Sequence, residues 1–531
     1  MNSLNLELNI LTGAIPAWQT TLEAAQLQPV CRKVADEGGR LLSLWGSDEG
    51  AGVIALHVVL VNQDGLLCLH LPQAFPAYPD ISGIFPAACR MQRALYDLMG
   101  PCAAGAADQR PWLRHAAWPE DRFPLRKNFV TLPPPCRGRA GEGVEAGVHP
   151  HPDLPPEMGK EYSDNYPFVQ VEGQGVHEIP VGPVHAGIIE PGHFRFSIIG
   201  ERVLRLEERL GYVHKGIEKR FENNSLLFGA KLAGRVSGDS TTAYAWAYAM
   251  AAENMASVTP PERALWLRAL FLERERIANH LGDLGYLAND VAFSFGMSQF
   301  WILKEQVLRN NAALFGHRYL MDKIIPGGVA VDLLDAGTLL GECDLLEQEV
   351  RLLRSILEEH AGVQDRYIGA GTVEPELAAQ LGLCGLAGRA SSQAWDARVQ
   401  FPCEPYQRLG VRMATHRNGD VAARVIVRFE ELFESIRLQR EILAGLPSGY
   451  LLEALTDLPG NGFGLGMVEG WRGEVLVAMH TDAAGNVSRV HPHDPSWQNW
   501  PLLEHAILGN IVPDFPLINK SFNLSYSGHD L

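Results

Sequence analysis

Three stretches of the sequence concentrate side chains able to bind a ligand or to move protons. In Gly234-Arg235-Val236-Ser237-Gly238-Asp239-Ser240-Thr241-Thr242, hydroxyls and a carboxylate surround a glycine beside an arginine. Read locally, this is a helix start. Ser237, Asp239 and Ser240 can satisfy N–H groups that the first turn leaves bare, and Gly238 permits a tight entry. The positive end of that helix, next to Arg235, would equally suit an anion or a polar ligand. Residues 182–195 place His185, Glu190 and His193 in a Gly- and Pro-rich turn between strand-like segments. Imidazole and carboxylate carry protons near neutral pH; ordinary turn chemistry also accounts for such a loop. The third stretch, residues 521–531 (SFNLSYSGHDL), has no cysteine and no metal-ligand spacing, and alone reads as an exposed or docked tail.

Other patterns are weaker. No G-x-x-x-x-G-K-[ST] is present, and the glycine-rich residues 462–466 open no helix, so neither a P-loop nor a dinucleotide fold is supported. His149-Pro150-His151-Pro152 and His491-Pro492-His493-Asp494 could hold a metal only loosely and read as loops. Residues 275–280 (ERIANH) fall on a helix and read as a buried charged network. None of the 8 cysteines forms a C-x-x-C pair, which in a chain this long favours reduced thiols over a disulfide framework.

These residues need a large scaffold, and 531 residues supply one, enough for two to four domains at ~100–200 residues each. A hydrophobic fraction of 46% with 20% charged residues excludes global disorder, and a net charge of −17 argues against a general nucleic-acid binder. No uncharged apolar run reaches the ~18–20 residues of a membrane span, and the first residues lack a signal-peptide pattern. Residues 1–130 read as a small α+β domain: 53–61 is a short β-branched buried strand, 63–65 a turn, 66–71 a second strand and 91–99 a helix. Residues 131–160, dominated by Pro and Gly, read as a linker. From 161 to 531 the pattern is mainly helical. Helices are expected over 204–224, from 239/240 to about 255, from 260 onward, over 339–357 and over 421–446. Strands follow at 463–477 and 489–493, which suggests a bundle core with small sheets at its ends.

Taken in order, these clusters resemble the large subunit of membrane-bound, energy-converting [NiFe] hydrogenases of the formate-hydrogenlyase (hydrogenase-4) type, and its relative, the 49-kDa-type quinone-site subunit of complex I. The matching stretches are 182–194, 211–219 (GYVHKGIEK), 275–281 and 468–474 (VEGWRGE). The first region resembles the 30-kDa-type complex I subunit at 81–88 (ISGIFPAA), 93–100 (RALYDLMG) and 123–128 (FPLRKN). The resemblance implies an α+β fold: a small N-terminal 30-kDa-like domain fused to a mainly helical large-subunit-like domain. It also implies an oxidoreductase of the NADH:quinone or hydrogenase kind. Its partners would be an iron–sulfur small subunit, which carries the clusters, and antiporter-like membrane proton-channel subunits. The chain would sit peripherally on the inner, cytoplasmic face of the cell membrane.

The departures from the family pattern carry the sharper expectation. In the hydrogenases, R-x-C-G-x-C and D-P-C-x-x-C supply four thiolates to nickel and iron. Here the first motif reads Arg235-Val236-Ser237-Gly238-Asp239-Ser240 and the second Asn523-Leu524-Ser525-Tyr526-Ser527-Gly528. A serine hydroxyl stays protonated at neutral pH and is no substitute for a soft thiolate. The expectation is therefore no NiFe centre, no metal and no resident cofactor on this chain, with Arg235, Ser237, Ser240 and Ser525 lining a vestigial polar cavity. In complex I the quinone is contacted by a tyrosine, whose position here is Gly238, and by a His for which His185 is the candidate; quinone remains the one ligand left open. Glu190 matches the hydrogenase proton-transfer glutamate, and Arg472 the arginine above the open metal position. Glu190, His185 and Arg472 are thus the candidates for proton transfer or coupling. A quinone-reducing subunit and a non-catalytic scaffold are the alternatives.

Overall fold

The computed structural model describes residues 6–115, 118–129, 166–186, 188–455 and 457–531. The expected linker at 131–160, and with it His149 and His151, lies outside the described residues.

The β-branched run forms the strand Val53–Val61, and the turn after it leads into Leu66–Leu71, as the pattern requires. Asn62 closes that turn, its Oδ1 accepting from the Asp64 amide at 2.9 Å. These two strands are the centre of a five-stranded sheet ordered Asn9–Leu11, Ala17–Thr21, Leu66–Leu71, Val53–Val61, Arg40–Gly50. Only Ala17–Thr21 and Leu66–Leu71 run parallel. Ile54, Leu56, Val58 and Leu60 face the core shared with helices Ala24–Asp36 and Ala88–Met99. Val59 and Val61 face the opposite core, together with Trp45 and Cys68. A run of apolar residues without alternation is what burial on both faces demands.

The second region starts with an antiparallel sheet of Val176–Val181, His193–Ile199 and Arg202–Arg209. Here the structure corrects the expected helix over 204–224. Residues 202–209 are a strand, and the only helix in that stretch is the short Ile217–Phe221. Gly211 and Gly216, at φ of +99° and +62°, turn the chain where a continuous helix would have to pass. The other expected helices form at Thr241–Ala256, Glu262–Asp290, Ala336–Glu359 and Val421–Gly445, joined by Ser294–Phe315. Proline precedes the first turn of Glu262–Asp290, where its missing N–H costs nothing. The expected strand at 463–477 is a hairpin, Phe463–Glu469 and Glu474–Thr481, which pairs on with Val487–His493. His491 and His493 lie on that last strand, in line with the strand expected at 489–493 and not with the loop that the His-Pro-His-Asp run suggested.

Small residues set how closely this hairpin approaches the bundle. The alanine-rich helix Thr241–Ala256 lies against Phe463–Glu469 at Gly464 and Gly466, where a Cβ would run into the carbonyls of Ala251 and Ala247. The two sequence regions then join into a continuous core. Gln498 Nε2 donates to Leu42 O at 2.6 Å, Arg489 Nε to Gly46 O at 3.0 Å, and Arg90 bridges Glu208 (2.9 Å) and Glu504 (2.7 Å).

Two glycine substitutions separate close packing from chain freedom. Gly466→Ala should lower the unfolding free energy by about 2 kcal/mol or more, because backbone must shift. Gly341→Ala, in an exposed helical position with open space around it, should raise it by about 0.5–1 kcal/mol. Urea unfolding midpoints read both, and equal signs would contradict the packing described.

Candidate functional site

Four segments meet where the family motifs fall: the loop residues 182–186 and 188–190, the loop 234–240, the hairpin turn 470–473 and the C-terminal residues 523–531. The long helix Glu262–Asp290 holds two of them from beneath. Arg276 donates to Glu469 O (2.6 Å) and Gly470 O (3.0 Å), and Asn279 Nδ2 to Asp239 O (2.7 Å). The expected buried network at 275–280 is thus the floor of the site. His280 completes it with Glu431 at 3.1 Å. Asp283 on the same helix accepts from Asn523 Nδ2 at 2.7 Å and pairs with Arg428 at 3.0 Å, which fixes the C-terminal segment.

At the centre, the Arg472 guanidinium grips Asp239 with both η nitrogens (2.8 and 2.6 Å), reaches Ser240 Oγ at 3.3 Å and donates through Nε to Asn523 O. It lies 3.9 Å from the Trp471 ring centroid, and the Trp471 indole N–H donates to Asp239 O at 2.9 Å. Ser237 Oγ donates to Asp239 Oδ1 (2.8 Å) and is 2.8 Å from Ser525 Oγ, which accepts from the Gly528 amide at 2.9 Å. A Cβ at Gly528 would collide with Asp494 Oδ2, which itself accepts from Tyr244 OH at 2.7 Å. Ser237, Ser240, Arg472 and Ser525 thus lie together, joined directly through hydrogen bonds rather than arrayed around an open cavity between them.

Arg235 is a correction. It lies outside this cluster, its side chain 43% exposed and paired with Asp322 at 2.6 Å, because the helix Leu226–Ala233 ends just before it and aims it at solvent. The expected hydroxyl capping of Thr241–Ala256 is also corrected. Ser240 at the cap position makes no side-chain cap bond, and Glu275 instead accepts from the amides of Thr242 (2.6 Å) and Ala243 (3.3 Å). Glu190 is exposed, its Oε2 accepting from the Ser527 amide at 3.0 Å. His185 Nδ1 is 3.2 Å from Pro183 O, its Nε2 is buried without a partner, and its ring lies 6.2 Å from that of Tyr526. Trp471 and Asp494 are the residues that sequence reasoning missed, while Asp239 and Glu275 were read only as a helix cap and as part of a buried network. Asp239 stood in plain view between the two serines, but looked like a cap.

The charges follow from this packing. Burial would raise the Asp239 carboxyl, but Arg472 and the Ser237 hydroxyl outweigh it and hold it at about 2. Arg472 stays protonated, Asp239 outweighing the cost of burial. Glu275 goes the other way: burial pushes it up to about 8 despite its two amide donors.

Residues 20–134 match the family model of the respiratory-chain NADH dehydrogenase 30-kDa subunit, and residues 290–458 that of the 49-kDa subunit. The chain is 30% identical over 509 residues to formate hydrogenlyase subunit 5 of Escherichia coli (strain K12), covering 93% of this chain and 85% of the relative. It is likewise 30% identical over 503 residues to hydrogenase-4 component G of the same organism, covering 93% and 84%. Among solved structures it is similar to a chain of the membrane-bound sulfane sulfur reductase, an archaeal respiratory membrane complex. That match has a TM-score of 0.64 at 25% identity and covers 67% of this chain and 99% of that one.

Two variants test the electrostatics. Asp239→Asn leaves Arg472 without its counter-charge. It should cost about 1–3 kcal/mol, below the range for a fully buried pair because the Asp239 side chain is 37% exposed, as read by denaturant unfolding. For Glu275 the folded value lies above the unfolded one of about 4.3, so its stabilising proton is held fully below that pH and lost as pH rises toward 8. Glu275→Gln keeps an oxygen for the Thr242 amide and should flatten the fall in melting temperature between pH 5 and 8.5; an unchanged slope would refute the assignment.

Proposed function

The chain belongs to the family of fused 30-kDa and 49-kDa complex I-type subunits that includes formate hydrogenlyase subunit 5 and hydrogenase-4 component G, and from that premise we propose that it acts in a membrane-attached oxidoreductase complex without a nickel–iron centre of its own. The observation that carries this reading is the direct Ser237–Ser525 contact beside the Asp239–Arg472 pair. A nickel–iron centre would supply redox chemistry through soft thiolate ligands, and the residues at those four positions do not fit it. Three offer hydroxyls already engaged with one another or with Arg472, and Gly528 offers no side chain in a space closed by Asp494. The nearby thiol of Cys384 is directed elsewhere, toward Asn499 Oδ1 (3.5 Å) and Pro495 O (3.8 Å). Among the described residues no group of three His, Cys, Asp or Glu is placed to hold a metal.

What the retained residues supply is proton handling. Glu190 is exposed at the rim and tied by Ser527 to the C-terminal segment, so a proton on or off its carboxylate changes a hydrogen bond to that segment. We assign it, with His185, a role in coupling proton movement or conformation to electron transfer by partners. Those partners are an iron–sulfur small subunit and antiporter-like membrane subunits. Among the described residues no helix is long and apolar enough to cross a membrane, which is consistent with attachment through such subunits.

A second reading, favoured by one observation, is reduction of a quinone. His185 Nε2 and the Tyr526 hydroxyl are both buried, with rings 6.2 Å apart; with Nδ1 facing Pro183 O the neutral imidazole offers Nε2 as an acceptor, so a quinol hydroxyl would find an acceptor there and a quinone carbonyl a donor in the Tyr526 O–H.

Purification of the tagged chain with its membrane partners, followed by metal analysis, tests the first reading. Iron and sulfide with nickel below a tenth of stoichiometric is the expected result, and near-stoichiometric nickel would sink it. Glu190→Gln should cut complex turnover at least tenfold with assembly intact; unchanged turnover in Glu190→Gln and in Arg472→Ala would leave only a scaffold.

A further inference from the structure

On the far side of the C-terminal sheet from the Arg472 turn, a cavity of about 400 Å³ opens between the N-terminal sheet and the strand Glu474–Thr481. Three histidines from three strands meet in it: His57 lies 4.9 Å from His70 and 4.7 Å from His480, centroid to centroid. Phe463 packs on His480 at 4.7 Å, and Trp45 stacks on His57 at 5.1 Å. A structural histidine normally uses both ring nitrogens, as His491 does a few ångströms away, bonded to Ser43 Oγ (2.9 Å) and Glu218 (2.7 Å). The cavity histidines do not. His70 Nδ1 and His480 Nε2 are buried without partners. Ser47 donates its one proton to Glu49, so the 2.7 Å contact between Ser47 and His57 Nε2 must be a donation from the imidazole, which leaves Nδ1 as its basic nitrogen.

The charged neighbours set the response. Arg489 stands on the strand Val487–His493 and is held by Glu218 at 2.8 Å, with His491 beside it. Asp48 and Glu49 come from the strand Arg40–Gly50, Lys127 from the last residues of the first region, Glu222 from the end of the short helix Ile217–Phe221, and Asp482 from the loop after Glu474–Thr481. Asp48 accepts from the amides of Gly50 and Lys127, Glu222 pairs with Lys219, and Asp482 accepts from the amides of Ala484 and Asn486. Glu49 alone pulls on a histidine of the cluster, raising His70 against burial. In the closed cavity burial, Arg489 and the mutual contact of the imidazoles keep them neutral, with His480 held down to about 3. Opening the seam would give them water and the surrounding carboxylates.

We propose that this three-histidine cavity is an acid-responsive seam, whose protonation below about pH 6 loosens the N-terminal sheet from the C-terminal sheet. The device reaches the candidate site through one strand. His480 sits near one end of Glu474–Thr481, and the other end leads directly into the turn carrying Trp471 and Arg472. Glu474 itself is ion-paired across the seam to Arg40. The inference does not depend on the function proposed above.

The sign is fixed by linkage. A histidine neutral in the closed state and free at its ordinary value of about 6.5 in the open state favours opening as pH falls, by a factor of about 25 between pH 7 and 5 for each such imidazole. Amide hydrogen exchange on the full chain, corrected for intrinsic rates, reads this directly. Peptides covering 53–61 and 474–481 should open at least about 25-fold more at pH 5 than at pH 7, while the helix Ala336–Glu359 keeps its protection. His57→Gln with His480→Gln should reduce the acceleration to less than fivefold. Should that pair fail to fold, the half-buried His70→Gln alone should lower it severalfold. Constant seam protection in the wild type, or the same acceleration in the variants, would overturn the proposal.

Discussion

Asp239 and Arg472 belong to segments more than two hundred residues apart, and their two-pronged ion pair is the constraint around which the interior of the second region is arranged. A guanidinium this well buried must be met by a carboxylate and by carbonyls in the right places, and each requirement pins a further segment. Asn523 O fixes the C-terminal chain, Ser240 the start of a helix, and Trp471 supplies a flat surface beneath the charge. Arg276 and Asn279 then hold the two loops to the long helix from behind. The arrangement is tight because the bundle allows it: Gly464 and Gly466 let the hairpin lie directly on Thr241–Ala256, so the turn and the helix start stay in register.

Much of the scaffold could be read from the residues because the periodic signals were long and agreed with their end signals. The run 53–61 and the helices opening after Pro261 and Asp420 are of that kind. The stretch 204–224 misled because its leucines also satisfy a helical spacing, while the deciding information lay in two glycines whose left-handed backbone breaks the helix. The run 463–477 misled less: its Gly470 and Gly473 conceal a turn within what reads as one extended segment.

At the candidate site, residue identity could be read in advance but side-chain direction could not. The serines, Arg472 and Glu190 were named from the motifs. Nothing in the local sequence says that Arg235 faces Asp322 rather than the cluster, since the partner is some ninety residues away and the choice depends on where one helix ends. Asp239 was hidden for a related reason. A carboxylate before a helix is normally its cap, yet the helix amides here are served by Glu275 from a neighbouring helix, which frees Asp239 for the arginine.

Asp494 closes the space beyond Gly528 and is itself anchored by the Tyr244 hydroxyl and the Ser496 amide. A cysteine introduced at 528 would therefore meet an occupied, well-fastened neighbour. Dislodging the aspartate would in turn strand the Tyr244 phenol and the Ser496 amide. The closed space thus ties position 528 to Asp494: any side chain there must displace a carboxylate fastened at both oxygens.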